Sequence, residues 1–113
     1  MRHIPKKLNQ ELNDDEYYTK CCFNFPHVCY GKIERHHNLI YSGKQYQSKE
    51  TILPICKTIH EMARNTFIKE MLDLIMLERM TKEQRLLISK AIDYEKRFKY
   101  LSAKYHNTRR RSE

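Results

Sequence analysis

A chain of 113 residues, 40% hydrophobic and 32% charged, is enough for one compact domain with a single main core and leaves little room for a second. The longest apolar patch, Met71 to Leu77, contains Asp73 and is too short to span a bilayer; no basic-then-apolar leader opens the chain, so a soluble intracellular protein is expected. Twenty-two Lys and Arg against fourteen Asp and Glu leave a net charge of +8, which favours nucleic acid over a lipid surface as partner, because neutralising phosphates releases condensed counterions.

Residues 1–16 are polar and charged and read as a loosely ordered N-terminal arm, with a short helix near Leu8 to Leu12. The next forty residues, 17–56, hold all four cysteines and both glycines. Within them Lys32–Tyr41, bracketed by Gly31 and Ser42-Gly43, reads as a strand-like stretch. Thr51–Cys56 is a second short extended segment, and Pro54 makes it an edge or strand-end element. Thr58 with Glu61 has the form of a capping box and places a helix start at Thr58. Ile59, Met62, Ala63, Phe67, Met71, Leu74 and Ile75 then recur at helical spacing on one face, a stripe of core residues. Thr81 with Gln84 repeats the capping signature and opens a second long helix whose apolar stripe is Leu87, Ala91, Tyr94, Phe98, Leu101 and Tyr105. Two helices joined by a short turn at Met80-Thr81 should pair antiparallel. Residues 107–113, with Arg109-Arg110-Arg111, form a basic tail. Together these elements predict a small α+β fold: a β-hairpin and helix followed by a long C-terminal helical hairpin.

The chemistry concentrates in three histidines. His36 and His37 are adjacent, and His60 follows His37 by twenty-three residues, on the first turn of a predicted helix. Imidazole is the commonest metal ligand and accepts a proton near neutrality. A strand, a loop, a second strand and a returning helix would bring His60 back beside the pair. Two such ligands with open positions for phosphate and water suit one divalent ion, and a third, unligated histidine suits activation of the water. Neighbours on a regular strand face opposite ways, so His36 and His37 can share a site only where the strand ends or bulges. The competing reading is an exposed polar pair in a hairpin. Cys21, Cys22, Cys29 and Cys56 are either metal ligands or small buried hydrophobes, since no secretory signal points to disulfides. Tyr17, Tyr18, Tyr30, Tyr41 and Tyr46 could stack on bases, although packing is the default for tyrosine.

The stretch from Cys29 to Arg64, CYGKIERHHNLIYSGKQYQSKETILPICKTIHEMAR, resembles the HNH (ββα-metal, His-Me finger) endonuclease superfamily, above all the short HNH proteins encoded by bacteriophages and prophages. The shared pattern is a Cys-containing lead-in, a His-His pair, a loop, a strand ending in Pro54-Ile55-Cys56, and the helix histidine His60. This resemblance implies a ββα-metal core over 17–66, with 67–106 as a helical extension. It implies that His37 is the general base, that His36 and His60 hold magnesium or a similar divalent ion, and that the substrate is DNA, most readily double-stranded. A cytoplasmic location in a bacterial host would follow if the protein is phage-encoded.

Two positions depart from the pattern. Thr51 stands where the family carries its central Asn, and Arg64 where many members carry a further histidine ligand. Arg64, one helical turn beyond His60, would then contact the scissile phosphate. Many relatives also hold a structural zinc between two Cys-x-x-Cys pairs. Here the candidates are Cys21 or Cys22, Cys29 and Cys56, with Ile59 in the fourth place and His27 able to complete the set. The departures leave a second reading open, a catalytically silent HNH scaffold that binds nucleic acid or a protein partner as a phage accessory or inhibitor, and homodimerisation through the C-terminal helices is compatible with either. A third reading is a zinc-stapled structural protein.

Overall fold

The computed structural model describes residues 4–23, 27–38, 40–41, 44–45, 49–88 and 92–106. In chain order its elements are α1 (Lys6–Asn13), β1 (Glu34–His37), β2 (Ile40–Tyr41), β3 (Lys44–Gln45), β4 (Ile52–Ile55), α2 (Lys57–Glu61), α3 (Thr66–Arg79), α4 (Lys82–Leu87) and α5 (Tyr94–Lys104), with 3-10 turns at Glu16–Thr19 and Lys49–Thr51. This is a small α+β fold. No helix among the described residues is long and apolar enough to cross a membrane. Ala91, Ser42, Gly43, Tyr46 and the basic tail 107–113 lie outside the described residues.

β1 and β4 pair antiparallel, with Glu34 opposite Ile55, Arg35 opposite Pro54, His36 opposite Leu53 and His37 opposite Ile52. β4 is buried along its whole length, which is why its sequence is uniformly apolar rather than alternating. Leu53 and Ile55 enter the main core with Ile59 of α2 and Met71, Leu74 and Met76 of α3. Ile52, facing the other way, joins Leu12 and Tyr18 in a smaller cluster. The cross-strand partners inherit this division. Glu34 and His36 lie on the α2 side, while Arg35 reaches across to Asn9 and Asn13 of α1.

The N-terminal arm is therefore more ordered than its composition suggests. α1 docks through Leu12, which is fully buried, and Asp15 caps the turn that follows by accepting from the Tyr17 N–H. Leu12→Ala is expected to cost about 2–5 kcal/mol, as for other buried leucines. Urea unfolding measures this directly; a cost within experimental error would show that α1 is not part of the cooperative unit.

Each of the two long predicted helices is divided. The first breaks after Glu61: α2 ends there, and α3 begins anew with Asn65 accepting from the Ile68 N–H. Thr58 is not a cap. Cys56 occupies the N-cap position, and the Thr58 hydroxyl donates to the Val28 carbonyl instead. The capping box at Thr81 and Gln84 is present in both directions. Its helix stops at Leu87, which is 67% exposed, and α5 starts separately with Asp93 accepting from the Lys96 N–H. The helix packed against α3 is thus α5, reached through α4 rather than directly from the Met80-Thr81 turn. Contacts of Phe67 with Tyr105, Glu70 with Lys104 and Asp73 with Arg97 run in opposite sequence directions, as an antiparallel pair requires.

Candidate functional site

Between the β1–α2 unit and the α3–α5 pair lies a cleft of about 730 Å³ whose lining includes His36, His37, His60, Arg64, Lys69 and Arg97. The three sequence-selected histidines come together here. His36 sits on the α2 face of β1, and α2 carries His60 back over it, so that the two rings meet edge to face with centroids 5.2 Å apart. Opposite faces of a strand separate His36 from His37; β1 ends at His37, and the Asn38 N–H carries the ladder one step further by donating to the Thr51 carbonyl at 3.0 Å. His37, only 5% exposed, still reaches the cleft from its inner end.

Glu34 is a site residue that the motif reading did not single out. Its carboxylate lies 2.7 Å from His60 Nδ1. A carboxylate behind one ring nitrogen fixes the proton on that side and leaves Nε2 as the open donor, the arrangement that orients metal-ligating histidines. The signal was present as Glu34-x-His36, two residues on one strand face. Burial, followed by the neighbouring His60 and Lys69 charges, pushes His36 down to about 4. It is neutral at physiological pH, the state needed to ligate a metal.

Arg64 lines the cleft and is exposed, but α2 ends before it, so it stands on the turn between α2 and α3 rather than one helical turn beyond His60. Thr51 is fully buried, and its carbonyl accepts from Asn38. The buried side-chain amide near the strand end comes from Asn38 itself, which is 3% exposed and donates to Asp73 of α3 at 2.9 Å.

The cysteines assemble a second centre. Cys21, His27, Cys29 and Cys56 bring one ligand atom each to within 4.8 Å of all the others. His27 Nε2 lies 3.2 Å from Cys29 Sγ and 3.7 Å from Cys21 Sγ. These thiols are free, not paired as disulfides, and the group can hold a metal ion. The member taken from the Cys21-Cys22 pair is Cys21. Cys22 belongs elsewhere: in the extended segment after the first 3-10 turn, adjacent side chains point apart, and its thiol faces Tyr17, with burial pushing it up to about 12. The fourth place falls to His27, and Ile59 is core.

Local structure explains the convergence. The loop carrying His27 and Cys29 is tied to the start of α2 by the Lys57 N–H donating to the Tyr30 carbonyl at 2.9 Å and by the Thr58–Val28 bond. Gly31 has φ +76, and a Cβ there would lie 3.0 Å from Lys57 Cβ, so only glycine lets the loop lie this close. Cys56, the α2 N-cap, is pushed up by burial, but the Ile59 and Tyr30 N–H groups, then His27 and Cys29, more than offset this and hold it down to about 6. A thiolate there is ready to ligate.

Of the tyrosines, Tyr18 is buried, with its hydroxyl donating to the Ile52 carbonyl at 2.9 Å, and Tyr17 stacks under Arg79. Tyr30 is exposed beside Lys57. No protein-family model, curated protein or solved structure significantly matches this chain.

Proposed function

We propose that this protein is a divalent-metal-dependent endonuclease of the HNH type that hydrolyses phosphodiester bonds, with DNA as substrate. The observation that carries the reading is the meeting of His36 and His60 at the mouth of one cleft, with Glu34 behind His60 and His37 at the inner end. The donor set fits a hard or borderline divalent ion: two imidazoles, one backed by a carboxylate, on an open basic cleft. Bound there, the ion would supply Lewis-acid stabilisation of the charge that develops on phosphate and leaving oxygen.

The chain's own residues do the rest. His36 and His60 would hold the ion. His37 takes the proton from the attacking water as it closes on phosphorus. Arg64, exposed on the rim, binds a non-bridging oxygen and orients the phosphodiester. The +8 charge draws the polyanion in, so binding should weaken steeply with salt.

In the same reading the Cys21, His27, Cys29 and Cys56 group binds structural zinc. Three thiolates and one imidazole form a closed tetrahedral donor set with no position left for substrate. Its place at the α2 N-cap makes it a clamp for the helix that presents His60.

Relaxation of supercoiled plasmid tests the activity. Open-circular product is expected with Mg²⁺ or Mn²⁺ and none after chelation. Salt-sensitive DNA binding without cleavage at any metal concentration would instead favour the silent scaffold.

A further inference from the structure

The α3–α5 side of the cleft carries a charge network that the proposed chemistry leaves unused. Asp73 of α3 is 5% exposed, within the helix's apolar face. Its Oδ1 accepts from Lys69 Nζ at 2.8 Å and from Asn38 Nδ2 at 2.9 Å. Its Oδ2 accepts from Arg97 Nε at 3.0 Å and Arg97 Nη2 at 2.8 Å. One carboxylate thus ties together α3, α5 and the end of β1.

Stability alone is a poor reason for this arrangement. Replacing a buried ion network with apolar residues of similar size is often neutral or stabilising. Both cations also stand where their helices favour them least. Lys69 and Arg97 are each the fourth residue of a helix, near the positive end of its dipole. Lys69 precedes Asp73 by four residues, the weaker order for an ion pair on one helix. Local costs of this kind gather at functional sites.

What the network achieves is placement. Lys69 and Arg97, with side chains 44% and 28% exposed, both line the cleft beside Arg64. Three cations against one carboxylate leave the lining with an excess of positive charge. Asp73 engages Arg97 through Nε and Nη2, two of the five N–H groups of a guanidinium, so Nη1 lies outside that pair. The Lys69 ammonium donates to Asp73 and, at 3.1 Å, to the Asn38 carbonyl; its 3.5 Å contact with the Asn38 amide oxygen is too long to hold the third N–H firmly. Both heads are therefore fixed before any ligand arrives and keep donors for an anion, which lowers the ordering cost of binding.

We propose that Lys69 and Arg97, held by Asp73, form a second phosphate site that grips the backbone of a nucleic-acid strand. In the proposed reaction Arg64 serves the scissile phosphate, and this pair takes one that flanks it. That flanking place rests on the nuclease reading; the grip on the backbone does not. Contacts of this kind set position and carry no sequence information.

The test is fluorescence anisotropy of labelled DNA duplexes over a KCl series, with the full zinc-loaded chain and no added Mg²⁺ or Mn²⁺. Lys69→Gln should weaken binding about 10-fold. It should also flatten the slope of log affinity against log salt by about one, alike for duplexes of different sequence. Lys69→Arg keeps the charge and should keep the slope. Arg97→Gln is combined with Asp73→Asn, which leaves the net charge of the cleft as in wild type. A slope flattened by about one in that pair reports a lost contact rather than a change in overall charge. Lys104→Gln is the control: Lys104 is similarly exposed and ion-paired, with Glu70, but does not line the cleft, and its slope should stay as in wild type. Unchanged slopes in folded Lys69→Gln and in the double variant overturn the proposal, as does an equal fall in Lys104→Gln. If the double variant fails to fold, Lys69→Gln beside Lys104→Gln decides. Flattened slopes in a protein that cuts no DNA support the phosphate site and overturn the nuclease reading; unchanged slopes in a protein that cuts overturn the phosphate site alone.

Discussion

Stripping the metal from the Cys21, His27, Cys29 and Cys56 cluster is expected to lower the thermal midpoint by more than about 10 °C, because losing only about 3 kcal/mol has that effect on a domain of this size. Structural zinc sites in small domains contribute more than this when the apo form is unfolded. Cys56 belongs to the main core and Cys21 packs against it, but most of that core comes from β4, α3 and α5, so the loss should be partial. Among the described residues, the loop with His27 and Cys29 is also anchored by the Lys57–Tyr30 and Thr58–Val28 hydrogen bonds and by the His27 ring against Phe23. Without an ion, three sulfurs and an imidazole stay crowded within 4.8 Å of one another, and only hydrogen bonds favour a thiolate there. The purified protein should carry one equivalent of zinc, released by a mercurial titrant. Cys29→Ser should lower the midpoint and loosen α2, whose His60 N–H bonds the Cys56 carbonyl at 3.0 Å. Metal-free protein with an unchanged midpoint and four freely reactive thiols would contradict this.

Replacing His37 should remove phosphodiester cleavage by about 10²- to 10⁴-fold, the usual contribution of a positioned base. The ring is only 5% exposed, so alanine would also leave a cavity. His37→Asn keeps a polar, planar group of smaller volume and is the better partner variant. Both should bind Mn²⁺ as wild type does, because the proposed ligands are His36 and His60. Full activity in either variant would move the base elsewhere.

Much of the site was legible because it depends on local spacing. His60 on a helix directly after an apolar strand is read from the sequence, and the strand's register does the rest by facing His36 toward α2. Glu34 shares that strand face through the same two-residue period, but no motif marks it and only the fold shows it beside His60. The helix breaks were harder. Asn65 and Asp93 are both good N-caps, but the apolar stripe continues across each, and periodicity outweighed them. Thr58 failed as a cap because a tertiary partner, the Val28 carbonyl, took its hydroxyl. The Cys/His centre draws on three separate segments, so its spacing matches no compact motif, and only folding distinguishes Cys21 from Cys22. Asp73 was least visible: within an apolar stripe, one acid reads as an interruption until Asn38, Lys69 and Arg97 are seen around it.

The most direct measurement is plasmid nicking as a function of Mn²⁺, for wild type beside His60→Ala, from zinc-loaded protein purified identically. Wild-type nicking should rise with Mn²⁺ and saturate, whereas His60→Ala should lose it or need at least about 10-fold more metal. Equal cutting by both proteins, or cutting by wild type in excess chelator, would contradict a metal-dependent nuclease site built on His36 and His60.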